Sequence, residues 1–299
     1  MSSLAPGDRP ARLSVGTVGA GRVGAVLAAA LGRAGHRAVA VSAVSASSLR
    51  RAEALVPQAE VLPPDEVAAR SDLLLLAVPD DVLPALVSGL AAAGAVRAGT
   101  LVAHTSGAHG FRVLDPLVAA GGLPMALHPV MTFTGTDLDI ERLAGACFGV
   151  TSPDQLRLAA EALVIEMGAE PVWVEEEQRP LYHAALAIGA NHLITLVNTS
   201  ADLLRQAGVE QPSRLLGPLL GAALDNALRH GDGAMTGPVA RGDAGTVRSH
   251  LDVLDAPAVR SSYVALSRLG AVRALAAGVL PVDRAEALLD VLATDEAAR

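Results

Sequence analysis

The chain has 299 residues, 51% of them apolar, with a formal net charge of −8, so it suits two domains of roughly 100–200 residues with a core in each. The acidic balance argues against nucleic acid as a partner, because phosphate binding needs a clustered positive surface. A single cysteine, Cys147, excludes an internal disulfide and fits a reducing cytoplasm, and the absence of lysine excludes Schiff-base catalysis and a lysine acid or base.

Residues 1–11 read as a disordered tail, without the basic-then-apolar order of a secretion signal. From there to residue 174, short apolar runs alternate with helix-like stretches. The runs are 13–18, 37–44, 72–78, 100–104, 123–128, 146–151 and 171–174, with a weak candidate at 61–62. Helices are expected at 22–34, 48–55, 81–93 and 154–167, the last with Ser152 as its N-cap and Pro153 in its first turn. Val- and Leu-rich strands separated by helices imply a parallel sheet covered on both faces. Residues 12–174 are therefore expected to form a doubly wound Rossmann domain of the α/β class.

After residue 174 the strand signal stops, and 175–299 reads as an all-α domain. Helices are expected at about 180–206, 213–229, 244–254, 258–277 and 283–293, with a Gly- and Pro-rich break at 235–243. No apolar run reaches the roughly 18 residues of a membrane-crossing helix, so no membrane partner is expected.

Gly19, Gly21 and Gly24 form a GxGxxG turn between the first strand and first helix. The first glycine permits the turn, the second lets backbone approach a pyrophosphate, and the third lets helix and strand pack closely. The N–H groups at the helix start, around Arg22 and Val23, would take the phosphate charge; the alternative is a simple tight turn. Where NAD sites place a carboxylate for the ribose 2′-hydroxyl, this chain has Ser45, Ser47 and Arg50-Arg51. Hydroxyls and guanidinium groups suit a 2′-phosphate, so NADP is expected over NAD, although Ser47 or Ser48 capping the next helix, with the arginines solvated, would leave the same pattern. Val78 and Pro79 end a strand on the ligand-binding edge and would wall the cofactor, or only turn the chain.

The remaining candidates concern the reaction. Ser106 and His128 end the fifth and sixth strands, near the nicotinamide end of a bound cofactor, where Ser106 would bond a substrate carboxylate or the nicotinamide amide and His128 would polarise the substrate or only pack. In a regular helix Asn191, eight residues beyond His183, lies about 80° around the axis, so the two can share a face. Hydride addition to a C=O or C=N carbon leaves charge on the heteroatom, and a histidine is the natural proton donor, with His183 the first choice. Each histidine could equally be a core residue bonded to backbone. Thr236 and Arg241 lie in the 235–243 break, which reads as a substrate-side loop whose arginine would hold a carboxylate. Asp243 would cap the following helix, and Asp225-Asn226 would bond this loop. The eight histidines show no metal-ligand spacing, so no metal is expected.

The stretches GAGRVG, DLLLLAVPDD, HTSGAHG, ALHPVMTF, YHAALAIGANHL, PLLGAALDNAL and MTGPVARGD resemble the Rossmann-like oxidoreductases that carry a helical domain of unknown function, the 2520 family. Its wider superfamily is similar to ketopantoate reductases, pyrroline-5-carboxylate reductases and beta-hydroxyacid dehydrogenases. The resemblance implies a small-molecule substrate, a cofactor cleft and a homodimer built through the helices. This chain departs in lacking the lysine on which beta-hydroxyacid dehydrogenases and well-known ketopantoate reductases rely. The expected activity is NADP-dependent reduction of a small carbonyl or imine acid, with a ketopantoate-like 2-oxo acid the first substrate to try. The alternative is a non-catalytic, NADP(H)-responsive binding protein acting through a protein partner; a deazaflavin on the same fold is a third option.

Overall fold

The computed structural model describes residues 12–297; the expected tail at 1–11 lies outside the described residues. The chain divides into two compact units, Met1–Ala190 and Asn191–Arg299. Strand signals end near residue 174 as expected, yet the first unit continues through the helix Arg179–Ala187, because side chains of that helix are fastened to the sheet.

The first unit is built on an eight-stranded sheet in the order β3-β2-β1-β4-β5-β6-β7-β8. Its strands are β1 Ser14–Val18, β2 Arg37–Ser42, β3 Glu60–Val61, β4 Leu73–Leu76, β5 Leu101–His104, β6 Leu123–Pro129, β7 Cys147–Thr151 and β8 Glu170–Trp173. The helices are α1 Arg22–Arg33, α2 Ala46–Leu55, α3 Pro64–Ala69, α4 Leu83–Ala92, α5 Asp115–Val118, α6 Leu138–Arg142, α7 Arg157–Glu166 and α8 Arg179–Ala187. All pairings are parallel except β6 with β7, which is antiparallel. The expectation of a wholly parallel sheet is corrected at that one pair.

The unbroken Leu run of β4 is fully buried, as a central strand covered on both faces requires. One apolar cluster joins α1 and α7 to one face of the sheet, and a second joins α3 and α4 to the other. Small side chains let α1 lie close: Gly24 to Leu31 are all buried. Each fully buried leucine contributes about 1.5–3 kcal/mol by removal from water.

Local chemistry moves several boundaries. β2 stops at Ser42 because Ser45 caps α2, its side chain accepting from the Ser48 N–H; the helix starts earlier than expected, and the cap is neither Ser47 nor Ser48. Ser152 does not cap the seventh helix. That helix opens with a 3-10 turn at Asp154–Leu156, and the Ser152 hydroxyl donates instead to the Pro153 carbonyl.

In the second unit, α9 Leu193–Gln206 and α10 Pro212–His230 precede the short α11 Gly237–Arg241, then α12 Ala244–Val253, α13 Pro257–Ala276 and α14 Val282–Ala297. Its core joins Val247 and Leu251 to Val264, Ala271, Leu280 and Leu288. Gly231, at φ +56°, ends α10, and Asp243 caps α12 as expected. The expected bonds from Asp225-Asn226 to the loop are not made by Asp225, which pairs with Arg229 one turn along its own helix.

The expected single helix at 180–206 carries a π-turn at Ile188–His192. The helical stretch Glu176–Gln206 has the length and mean hydropathy, 1.2, of a membrane-crossing helix by composition. Its apolar character is spread between polar residues, so no uninterrupted run signalled it. It also carries the buried Arg179, bonded to the sheet.

Candidate functional site

The carboxyl ends of β1, β2, β4, β5 and β6 carry most of the expected site residues. At β1, Gly19 has φ +98°, and a Cβ there would fall 2.4 Å from the Ala77 carbonyl oxygen. A Cβ on Gly24 would fall 2.1 Å from the Gly19 oxygen, whereas one on Gly21 would meet nothing within 4 Å. The turn is therefore closed beneath and open above, the shape a diphosphate needs for close backbone approach. Gly21 caps α1 with no side-chain bond, and the helical ladder begins with Ala25 N–H to the Gly21 oxygen. The amides of Arg22, Val23 and Gly24 therefore precede the ladder and have no helical acceptor. Val78 stands beside Gly19, its Cγ1 being 3.2 Å from a Cβ placed there, while Pro79 is exposed and its carbonyl starts α4.

Of the candidate arginines, the structure brings Arg51 and Arg22 to this end. Arg51 Nη1 donates to the Ala20 carbonyl at 3.4 Å, and Arg50 is exposed. Both Arg22 and Arg51 flank Gly135, where a Cβ would lie 2.9 Å from Arg22 Cγ and 2.5 Å from Arg51 Nε. Gly135 belongs to the loop after β6, folded around the buried Asp139 carboxylate. That carboxylate accepts from the Thr134 and Gly135 N–H groups at 2.7 Å each and from the Thr134 hydroxyl. These bonds hold its carboxyl below the usual range despite burial, which acts the other way. No local sequence signal announces that this distant loop meets α1 and α2. Ser45 and Ser47 are exposed beside them, their hydroxyls 3.0 Å apart.

At the other end of the same edge, the loop 104–110 folds on its own polar groups. His104 is fully buried; one ring nitrogen meets the Gly110 carbonyl at 2.9 Å and the other accepts from the Ser106 N–H. Burial pushes its pKa down to about 4, and with both ring nitrogens bonded within the loop its role is structural. Ser106 is buried, and its hydroxyl accepts from the His109 N–H. The hydroxyl expected to bind substrate therefore helps to fold the loop. That folding presents Gly107 against two histidines: a Cβ there would lie 2.6 Å from His183 Cδ2 and 2.9 Å from His128 Nε2.

His128, half-buried at the end of β6, is bonded through Nδ1 to the Tyr182 hydroxyl at 2.8 Å. Its ring meets those of Tyr182 and His183 edge-on, with centroids 5.6 and 5.9 Å away. Tyr182 sits over Gly149, the residue paired with His128 across β6 and β7, and a Cβ at Gly149 would fall 2.3 Å from the phenol oxygen. Burial first, then the nearby Arg179 and His183, push the His128 pKa down to about 4. Burial raises that of Tyr182 while Arg179 opposes it.

Arg179 was not singled out from the sequence. Fully buried, it donates to Thr151 Oγ1 at 2.7 Å, to the Gly149 and Ala126 carbonyls at 2.9 and 3.2 Å, and to the Ser106 carbonyl at 3.4 Å. Burial lowers its pKa to about 10, which leaves it cationic at neutral pH. These bonds fasten α8 to β6 and β7 and place Tyr182 and His183. Glu176 adds a second fastening, accepting from the Phe111 and Arg112 N–H groups at 2.8 and 3.1 Å.

Asn191 and His192 lie in the π-turn and are exposed. The shared face expected for His183 and Asn191 assumed an unbroken α-helix, and a π-turn shifts the residues beyond it by about one position. In the second unit, Thr236 borders an apolar cleft of about 870 Å³ with Leu203, Leu266 and the hydrogen-bonded pair His250 and Tyr263, 2.8 Å apart. Arg241 is exposed at the end of α11, and its carbonyl accepts from Arg284. No group of three or more His, Cys, Asp or Glu side chains able to hold a metal occurs among the described residues.

Residues 2–129 match the model of a Rossmann-like domain, and residues 146–269 match that of a domain of unknown function, DUF2520. Curated proteins yield no match. Solved structures share the fold. A candidate NADP oxidoreductase from Bacteroides fragilis is 24% identical, with TM-score 0.73 over 87% of this chain and 98% of that one. An imine reductase from a Pseudomonas species is 22% identical, with TM-score 0.64 over 94% and 100%. A reductive aminase from Aspergillus terreus, in complex with NADPH4, cyclohexanone and allyl amine, is 19% identical, with TM-score 0.57 over 89% and 90%.

Proposed function

From a chain that joins a Rossmann-like domain to a DUF2520 domain, we propose an NADP-dependent oxidoreductase that reduces a small carbonyl or imine compound. One observation carries the reading: a single sheet edge holds an open glycine turn flanked by arginines and, further along, a hydrogen-bonded His–Tyr pair beside a second histidine. The residues fit the cofactor. A Cβ would block the turn at Gly19 and Gly24, space is left at Gly21, and Arg22 and Arg51 offer guanidinium groups for a 2′-phosphate.

A bound reduced nicotinamide would supply hydride to the substrate carbon. The chain's own part is to bind and orient through the turn and arginines, and to deliver a proton at the His128, Tyr182 and His183 cluster. Arg241 is proposed to hold a substrate carboxylate, with Thr236 and Asn191 as companion contacts. Imines without a carboxylate are to be tried beside 2-oxo acids, because two similar proteins are named as an imine reductase and a reductive aminase.

The test is NADPH oxidation by purified protein with a panel of 2-oxo acids, cyclic imines and ketone–amine pairs, beside fluorescence titration of NADPH and NADH. Turnover of a panel member with tighter NADPH than NADH binding supports the proposal. Tight NADPH binding without turnover of any member overturns it in favour of an NADP(H)-responsive binding protein.

A homodimer through the second unit is proposed with it. Leu193, Ile194 and Leu196 on α9, and Leu215, Leu219, Leu224 and Leu228 on α10, are exposed in the single chain, more apolar surface than a monomer comfortably leaves in water. Light scattering at the mass of one chain would contradict this. A cytoplasmic setting is proposed on the single cysteine.

A further inference from the structure

We propose that His128 serves as a neutral hydrogen-bond donor through Nε2–H, and that Tyr182 is the positioning residue whose hydroxyl resupplies its proton. This rests on the reductase reading and changes the donor from His183, the first choice on sequence, to His128.

Relative acidity and basicity decide the direction of the hydrogen bond between Tyr182 and His128. An imidazole nitrogen accepts better than a phenol oxygen, and a phenol donates better than a neutral imidazole, so the 2.8 Å contact runs from Tyr182 O–H to His128 Nδ1. The phenol oxygen also lies over the Gly149 backbone, whose influence favours the ionised phenol. With Nδ1 accepting, the ring proton of neutral His128 sits on Nε2. Thr17 Oγ1 is the sole buried side-chain polar atom without a partner among the described residues. Nε2 makes no hydrogen bond among them either, so it opens to solvent, on the side where Gly107 presents no side chain.

The groups facing His128 are Tyr182, His183 and Arg179 from α8 and Asp80 from the turn after β4. Burial and the Arg179 cation keep the ring uncharged at neutral pH, so it cannot act as a preformed imidazolium acid. A neutral ring gives up Nε2–H only if Nδ1 gains a proton in the same event. After reduction of a C=N or C=O carbon, the heteroatom bears the electron pair and forms a new bond to the Nε2 proton. The Tyr182 O–H bond breaks, its proton passes to Nδ1, and the negative charge comes to rest on the phenolate. Arg179, with Cζ 5.6 Å from the Tyr182 ring centre, and the Gly149 backbone stabilise that charge until solvent returns a proton.

The test uses full-length protein carrying ¹⁵N-histidine, with wild type, Tyr182→Phe and His183→Asn compared. Long-range ¹H–¹⁵N spectra are expected to show His128 as the Nε2–H tautomer at pH 7, with no titration above about pH 5, and Tyr182→Phe should shift the Nδ1 resonance. With a panel compound that turns over, Tyr182→Phe should lower kcat on the order of 10²-fold or more. KM should change little, and His183→Asn should lower kcat less. An Nδ1–H tautomer, titration near the ordinary histidine value, or wild-type kcat in folded Tyr182→Phe overturns the proposal. If no compound turns over, the reductase reading fails on its own, and the nitrogen spectra still decide the tautomer on which the relay depends.

Discussion

The two ends of the sheet's carboxyl edge use opposite means to handle charge. At the glycine turn, backbone amides and exposed or partly exposed arginines face open space. At the His128 end, the controlling cation is fully buried among carbonyl oxygens, and the titratable groups around it are shifted by burial. The first arrangement suits capturing a mobile anion from water. The second suits setting which groups hold protons, because low dielectric makes each charge consequential. Within one unit, attraction and proton control are thus separated along a single edge.

The largest expected effect breaks the buried end. Arg179→Met leaves four oxygen acceptors without their donor and frees α8 from the sheet, so denaturant unfolding should show a loss of about 3–5 kcal/mol. The His128 pKa should rise toward its ordinary value, because the adjacent cation is gone. Unchanged stability would show that the carbonyl cage is not what holds α8.

At the open end the effect should fall on affinity alone. Arg51→Ala is expected to weaken NADPH by about 1.5–3 kcal/mol, the worth of a hydrogen bond to a charged group, while NADH binding and thermal stability stay near wild type. Equal loss for both cofactors would separate Arg51 from the 2′-phosphate.

Smaller still, per pH unit, is an effect confined to the buried end. His128 and His104 both have folded pKa values near 4, below the ordinary 6.5. The unfolded chain therefore binds more protons between these values, and stability contributed by the neutral rings is present above about pH 6.5 and lost as pH falls toward 4. The slope should be on the order of 1 kcal/mol per pH unit for each ring. His128→Asn should remove about one ring's share. The smallest change is Ser45→Ala, expected to cost about 1 kcal/mol through loss of the α2 cap.

The same contrast explains what could be read beforehand. The open end is written in consecutive residues, Gly19 to Gly24, whose spacing carries its own geometry, and it was legible. Even there, Arg51 rather than Arg50 faces the turn, since the cap at Ser45 sets the phase of α2. The buried end joins positions from β5, β6, β7 and α8. His128 and His183 were visible as residue types, but Arg179 looked like any arginine at a helix start.

Local sequence therefore settled what short-range physics settles: alternating strands and helices, the change to an all-helical second half, the glycine turn and the cap at Asp243. Tertiary structure alone decided the antiparallel turn of β7, the π-turn, the meeting of Gly135 with Arg22 and Arg51, and the protonation state around His128. Those depend on which distant groups exclude water from one another, and burial belongs to the assembled fold rather than to any stretch of chain.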